Sequence, residues 1–323
     1  MDKVLLTGAA GFIGFHTAQL LIKRGYEVIG VDNFNDYYDI RLKHWRAENL
    51  LEYDNFTLEK GDIENMNFLE RIFEKYEFDT IINLAARAGV RASIDDPFVY
   101  ASTNYIGTLN LLELMRKFGQ KKFVLASSSS IYAGHEMPFS ENQSVNRPIS
   151  PYAATKKAAE LLSYTYHNLF DFDVSVLRFF TVYGPAGRPD MSYFRFIKAI
   201  DEGKPITLYG DGEQGRDFTF VDDIVKGLCE STKNLGFEII NLGGGNNPIS
   251  INTLIAKIEK IMGKKAKIEK KLFQKTDMKF TWANIDKADD ILGWQPKVSL
   301  DEGIKRTIEW HKKNKPLLRK IKV

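Results

Sequence analysis

Cysteine is almost missing from this sequence: Cys229 is the single example among 323 residues. One thiol excludes an intrachain disulfide and any metal site built on several cysteines. It also suits a reducing compartment, so a cytoplasmic protein is expected. No run of about 18 uninterrupted apolar residues occurs, and no membrane-spanning helix is expected. The first residues lack a basic, apolar and small-residue signal pattern and lead straight into a strand-like run. A marked excess of charge of one sign is missing too, with 45 Lys and Arg against 42 Asp and Glu, net +3. That balance gives no general case for a nucleic acid or a membrane as partner. No basic face with a recognition element stands out, and the C-terminal lysines read as a solvated helix face. Repeats and low-complexity linkers are absent. What remains is an ordinary globular balance, 44% hydrophobic and 27% charged, long enough for two domains or one large α/β domain with an appended lobe.

The first half alternates short β-branched runs with longer amphipathic ones. Val4-Leu5-Leu6, Val28 to Val31, Thr80 to Leu84, Phe123 to Leu125 and Val174 to Leu177 read as buried parallel strands. Ile13 to Lys23 and Phe68 to Tyr76 read as helices. A longer helix starts after Asp95-Asp96, with Pro97 in its first turn, and runs to about Phe118. Such alternation predicts an α/β fold with a doubly wound, Rossmann-like parallel sheet. After Arg178 the Gly/Pro-rich stretch 183–189 breaks the pattern. We therefore expect a dinucleotide-binding domain over 1–180 and a smaller substrate-binding lobe over 181–323, with some later segments returning to the first domain.

Thr7-Gly8-Ala9-Ala10-Gly11-Phe12-Ile13-Gly14 lies between the first strand and the first helix. Gly8 and Gly11 let the backbone turn tightly beside a pyrophosphate, and Gly14 lets the helix approach the sheet. The free amides of the helix N-terminus, with Phe12 and Ile13, then face the phosphates. A glycine turn alone is often only structural. Here Asp32, followed by Asn33, ends the second strand about 20 residues on, where a carboxylate binds a ribose diol. That carboxylate repels a 2′-phosphate and no arginine follows until Arg41, so NAD is expected rather than NADP. No metal is implied.

Tyr152-Ala153-Ala154-Thr155-Lys156 places a phenol and an ammonium four apart, on one helix face. A phenol ionises near pH 10 and is a poor base at neutrality, and a nearby cation favours its anion. The pair alone also fits a surface helix. The serine run Ser127-Ser128-Ser129-Ser130 follows the fifth strand, at the sheet edge where open α/β folds bind ligands. A hydroxyl there can bond the same substrate oxygen that Tyr152 deprotonates, although most serine runs are polar loops or helix caps.

In combination these segments resemble the extended short-chain dehydrogenases that act on nucleotide sugars. The resemblance takes in Gly61-Asp62-Ile63, Leu84-Ala85-Ala86, Asn104, Tyr152 with Lys156, Arg178 to Pro185 and Arg216 to Asp223, nearly the whole chain. It implies that Asp62 and Ile63 flank the adenine and that Leu84, Ala85, Ala86 and Asn104 belong to the cofactor site. It also implies that Lys156 holds the nicotinamide ribose, that Arg216 contacts the diphosphate, and that Ser128 is the catalytic hydroxyl beside Tyr152. Relatives that dehydrate their sugar carry Asp-Glu at the two positions after that hydroxyl, and UDP-glucuronate decarboxylases carry Glu at the second. Here those positions are Ser129 and Ser130. What remains is rotation of a 4-keto sugar and return of hydride to its other face, an epimerisation.

Asn35 to Lys43 and Thr181 to Met191 resemble the UDP-glucuronate 4-epimerases in particular, which convert UDP-glucuronic acid to UDP-galacturonic acid. A 4-keto glucuronate is a β-keto acid and loses carbon dioxide unless its carboxylate is held in the ring plane. Arg188, with its bidentate fork, is the candidate clamp, although a diphosphate or surface contact fits it as well. Thr181 and the Val90, Arg91 and Ser93 loop are expected to line the pocket. Lys275-Thr276-Asp277-Met278 departs from the Pro-Gly-Asp-Val of many relatives on the uracil side, where Asp277 is the candidate contact. The rival readings are a UDP-glucose/UDP-galactose 4-epimerase, a dehydratase or decarboxylase, and a non-catalytic NAD-binding protein. The resemblance further implies a homodimer built from helices near 97–118 and 151–170.

Overall fold

The computed structural model describes residues 1–246, 248–272 and 278–322. Six strands of the main sheet come from the first 180 residues: β1 (Lys3–Thr7), β2 (Glu27–Asp32), β3 (Phe56–Lys60), β4 (Thr80–Asn83), β5 (Lys122–Ser128) and β6 (Asp173–Phe179). Their apolar runs are buried on both faces, as parallel strands covered by helices require. A seventh strand, Phe237–Leu242, pairs with β6, and the order runs from it through β6, β5, β4, β1 and β2 to β3. Every neighbouring pair is parallel. The strand order reverses between β1 and β4, which opens a crevice at their carboxyl ends.

Helices α1 (Phe12–Lys23), α2 (Ile40–Leu50) and α3 (Met66–Lys75) link the first four strands. β3 escaped the sequence reading because Thr-Leu-Glu-Lys gives it only one buried residue, Phe56. Contrary to the single helix expected over 97–118, Pro97–Ala101 leads into a π turn at Ser102–Ile106 before the helix resumes at Gly107–Phe118. Gly107 lies hard against Ile63, which would stand 2.5 Å from a Cβ. The wide turn directs Asn104 inward, where its Oδ1 accepts from the Arg87 amide at 2.9 Å and its Nδ2 donates to Thr155 Oγ1 at 3.1 Å. Such bulges often mark functional positions. Here one ties the loop after β4 to the helix Pro151–Phe170.

Beyond residue 180 the chain does not form one contiguous lobe. The helix Val221–Glu230 buries Ile224, Val225 and Leu228 in the same core as Phe15 and Leu21 of α1, and Phe237–Leu242 completes the sheet. The rest builds three short strand pairs and the helices Ser192–Glu202, Ile251–Met262 and Leu300–Lys313 around Tyr193, Phe196, Phe220, Leu254 and Ile304. No helix of the described residues is long and apolar enough to cross a membrane.

Candidate active site

The glycine loop after β1 is fixed by backbone sterics. Gly8 has φ +70°, and a Cβ there would lie 2.8 Å from the Ala85 nitrogen. A Cβ on Gly14 would lie 2.1 Å from the Gly8 carbonyl oxygen. No other residue fits either position. Asp32 ends β2 with its carboxylate turned to this loop. Oδ2 accepts from the Ala10 amide at 3.1 Å and Oδ1 from the Phe34 amide at 2.8 Å. The Lys43 ammonium of α2 stands 3.5 Å from Oδ1, with both side chains buried. Burial pushes the Lys43 pKa down, and Asp32 opposes the shift. Sequence reading counted only arginines after Asp32 and so missed this lysine, a positive charge paired with Asp32 at the end of β2. Asn33 Nδ2 donates to Asp62 at 2.7 Å and joins the ends of β2 and β3.

These groups form one end of a cavity of about 300 Å³. Gly8, Gly11, Phe12, Ile13 and Gly14 line it with Asp32, Asn33, Asp62 and Ile63, and Leu84, Ala85 and Ala86 form its floor at the switch point. The glycine cradle with an acid at the end of the second strand fits a dinucleotide. Asn104 is buried behind the cavity and holds the wall without lining it.

Ser128, Tyr152 and Lys156 line the other end with Arg188. The helix Pro151–Phe170 starts at the Ser150 N-cap, whose Oγ accepts from the Ala153 amide at 3.2 Å, and proline occupies its first turn. Tyr152 is half-buried, with the Ser128 hydroxyl beside it. Burial pushes the phenol above its usual pKa, against the hydrogen bond from Ser128 and the field of Arg188. Lys156 Nζ donates to the Ala126 carbonyl at 2.9 Å. Burial pushes its pKa down to about 8, and the Glu160 carboxylate works against that fall. Arg188 is a cation whose field reaches the phenol, which sequence reading did not anticipate. Ser128 and Ser130 hydroxyls lie 2.6 Å apart, and Ser129 and Ser130 are buried. Among the described residues the acids that line the cavity, Asp32 and Asp62, belong to the glycine-loop end, and the carboxylate that reaches the other end is Asp190, the partner of Arg188.

Arg188 is already paired. Its Nε and Nη2 donate to the two carboxylate oxygens of Asp190 at 3.0 and 2.6 Å, and its guanidinium lies 5.3 Å from the centre of the Tyr37 ring. The turn that delivers it is held from the cofactor side. His16 of α1 bonds the Pro185 carbonyl at 2.9 Å. Arg46 of α2, fully buried, spends its guanidinium on the Ala186, Gly187 and Ala10 carbonyls and the Tyr38 hydroxyl at 2.7–3.0 Å. Ala186 is held at φ +51°, a left-handed conformation that a non-glycine residue rarely adopts. The sequence signal for Arg46 was two cations, Lys43 and Arg46, on the buried stripe of α2 with Leu42, Ala47 and Leu50.

Other expected pocket residues lie outside this cavity. Ser93 is buried and its hydroxyl donates to the Val90 carbonyl at 2.7 Å, which closes the turn at Val90 and Arg91. The Arg91 guanidinium lies over the Tyr209 ring at 4.7 Å. Thr181 takes part in the strand Thr181–Tyr183, its amide bonded to the Asp217 carbonyl at 3.1 Å. Arg216 Nη1 donates to the Gly215 carbonyl at 2.9 Å and the Lys279 carbonyl at 3.3 Å. Asp277 lies outside the described residues. Among the described residues no group of three His, Cys, Asp or Glu side chains is placed to hold a metal ion.

A glycine cradle, an acid at the end of β2, and a Ser, Tyr and Lys lining the cavity at the switch point together define a nucleotide-dependent enzyme of the extended short-chain dehydrogenase class. Within that class the chain belongs to the family described as GDP-mannose 4,6 dehydratase, which it matches over residues 5–307. It is 58% identical over 323 residues, 100% of both chains, to a UDP-glucuronate 4-epimerase of Thermodesulfobacterium geofontis. It superposes with TM-score 0.91 on the UDP-glucuronic acid 4-epimerase of Bacillus cereus in complex with UDP-glucuronic acid and NAD, at 38% identity over 96% of this chain and 99% of that one. The UDP-glucose 4-epimerase of Thermotoga maritima with UDP-glucose gives TM-score 0.86 at 33% identity, covering 97% and 99% of the two chains.

Proposed function

We propose that this protein is a NAD-dependent epimerase that inverts carbon 4 of UDP-glucuronic acid to give UDP-galacturonic acid. The observation that carries this is a sugar end that brings together Tyr152 for proton transfer, a hydroxyl partner, Ser128, and the guanidinium of Arg188, while the carboxylates that line the cavity among the described residues, Asp32 and Asp62, lie at the glycine-loop end. Tyr152 takes the proton of the 4-hydroxyl while Ser128 bonds the same oxygen. Bound NAD supplies the acceptor for the hydride at carbon 4 and returns it. Lys156 holds the ribose beside the nicotinamide and brings positive charge near the phenol. Ser129 and Ser130 offer hydroxyls where an acid would expel the 6-hydroxyl or assist decarboxylation, so the keto sugar turns over intact. Arg188 exchanges Asp190 for the substrate carboxylate and keeps it in the ring plane, away from overlap with the carbonyl. Arg216, Thr181, Asp277 and the Val90 to Ser93 turn are assigned to the nucleotide and sugar margins of the same site.

The UDP-glucose/UDP-galactose 4-epimerase reading shares all of this chemistry except the use of Arg188, and the guanidinium that lines the sugar end favours the acidic sugar. Exposed apolar side chains on the helices 97–118 and 151–170, Phe98 at 84% exposure with Leu161, Tyr164 and Leu169, fit a homodimer through those helices. Leu161→Glu is expected to give monomers in light scattering, and an unchanged dimer would place the interface elsewhere. The single buried Cys229 fits a reducing compartment such as the cytoplasm.

The test is incubation with UDP-glucuronate, UDP-glucose and UDP-N-acetylglucosamine without added cofactor, with product identification. Expected is UDP-galacturonate from the first, with no NADH beyond the enzyme concentration. Stoichiometric NADH would make the protein a dehydrogenase and overturn the proposal.

A further inference from the structure

Behind the catalytic pair the helix Pro151–Phe170 makes contacts that proton and hydride transfer do not use. Tyr152, Lys156 and Glu160 recur at four-residue spacing on the face that meets the end of β5. Each holds a successive residue of that strand. Lys156 Nζ donates to the Ala126 carbonyl at 2.9 Å, the Ser127 hydroxyl donates to Glu160 Oε1 at 2.6 Å, and Tyr152 stands beside the Ser128 hydroxyl. Glu160 is fixed in turn by Arg178 of β6. Arg178 Nε donates to Oε1 at 2.9 Å and Nη2 to Oε2 at 2.8 Å, with each side chain 1% exposed. The remaining Arg178 contact, Nη1 to the Tyr132 hydroxyl at 2.7 Å, reaches the turn that carries Ser129 and Ser130. Tyr132 donates onward to Asn241 at 2.8 Å, on the seventh strand.

A buried ion pair is a weak source of stability, since apolar residues of similar volume often serve as well. This one meets the helix, two strands and the serine turn at one point. We propose that the Glu160–Arg178 pair is the positioning device of the catalytic site: it sets the register of the helix on β5, so that Tyr152 meets Ser128, and its carboxylate keeps the neighbouring Lys156 ammonium charged. Lys156 is buried, and Glu160 is the charge that counters the effect of burial on it. The other charged groups facing Glu160 are Arg178 and, at 3.4 Å, Lys157. Tyr152 faces Ser128, Arg188 and Tyr37. Without the carboxylate, Lys156 loses its proton at lower pH and the Arg178 charge pushes in the same direction.

The inference rests on the epimerase reading of the same site, and its test separates the two. Epimerisation of UDP-glucuronate is followed from pH 6 to 10 for wild type, Glu160→Gln and the apolar double variant Glu160→Met/Arg178→Met, with NAD occupancy and near-ultraviolet dichroism as checks on folding. The double variant leaves no unpaired buried charge if the single one fails to fold. Expected is an alkaline limb of kcat displaced downward by about 1 pH unit in both. The plateau kcat of the double variant should fall about tenfold or more from lost register, with KM within about twofold. Glu160→Asp, which keeps the charge, should bring the limb back toward wild type. A limb at its wild-type position in both variants overturns the proposal, as does a loss confined to KM or to NAD occupancy. If wild type ignores UDP-glucuronate but turns over UDP-glucose, the substrate reading fails, and the same profiles on UDP-glucose decide the role of Glu160.

Discussion

The two ends of the cavity are built from different materials. At the cofactor end the backbone does the shaping: a Cβ on Gly8 would collide with the main chain after β4 and one on Gly14 with the main chain of the glycine loop itself, and one carboxylate, Asp32, is aimed by two amides. At the sugar end charged side chains do the shaping. Arg188 is held by Asp190, its turn by Arg46 and His16, and the phenol of Tyr152 by Ser128. A backbone cradle accepts one shape of ligand whatever chain follows it. A set of paired side chains can be rearranged by single substitutions, and that end is where relatives of one fold can part into different reactions. Substitutions at the sugar end should therefore change rate and selectivity while NAD stays bound, and those at the cofactor end should change NAD binding first.

The largest effect expected is at Tyr152. Tyr152→Phe keeps the ring and its edge-on packing against Tyr100, with centroids 6.1 Å apart, and loses the proton carrier. Turnover should fall by about 10²–10⁴-fold, the usual worth of general acid–base catalysis, with NAD occupancy unchanged. A variant that keeps near-wild-type turnover would remove Tyr152 from the mechanism and erase the contrast between the two ends.

Next is Arg188→Ala. Loss of one partner of a desolvated charge pair costs about 2–5 kcal/mol, so the ratio of UDP-glucuronate to UDP-glucose turnover should fall by at least about 30-fold. A trace of UDP-4-keto-pentose should appear as the freed carboxylate swings into line with the carbonyl. An unmoved ratio would show that Arg188 does not read the carboxylate and would favour the neutral-hexose reading.

The contrast between the ends also explains what could be read before any coordinates. The glycine spacing, Asp32 and the Tyr152/Lys156 pair are local patterns, complete within a few residues of sequence, and each lies where its pattern places it. Five of the seven sheet strands were legible as β-branched runs. β3 was not, because its single buried residue leaves no alternation to detect, and Phe237–Leu242 was not, because nothing local says that a late strand returns to the first sheet. Arg46, at 140 residues from Ala186 in sequence, and His16, at 169 from Pro185, support the sugar end through contacts that no spacing rule encodes. Lys43 and Glu160 were visible only as charges on buried helix stripes.

A third prediction probes the cofactor end. Asp32→Ala should weaken NAD by about tenfold, the worth of a hydrogen bond to a charged group, and should admit NADP because the buried Lys43 ammonium is left to face the 2′-phosphate. Asp32→Ala/Lys43→Met should lose that NADP binding. Equal NADP affinity in the two variants, measured by titration calorimetry, would show that Lys43 does not face the ribose.

The smallest effect expected is at Asp190, and it sharpens the comparison most. Asp190 and the substrate carboxylate are alternative partners for one guanidinium. The Asp190 side chain is 41% exposed, so its hold on Arg188 is screened and worth about 1 kcal/mol or less. Asp190→Asn keeps the shape and removes the charge. Arg188 then meets the substrate uncompensated, and KM for UDP-glucuronate should fall about two- to fivefold, the equivalent of that energy. KM for UDP-glucose, which offers no carboxylate, should stay within error. Steady-state kinetics on the two sugars decide between two parts for Asp190. A selective fall marks it as a competitor that the substrate displaces. A rise in KM for UDP-glucuronate marks it instead as the residue that aims Arg188, a fixed wall of the sugar end built by a side chain as the cofactor end is built by backbone.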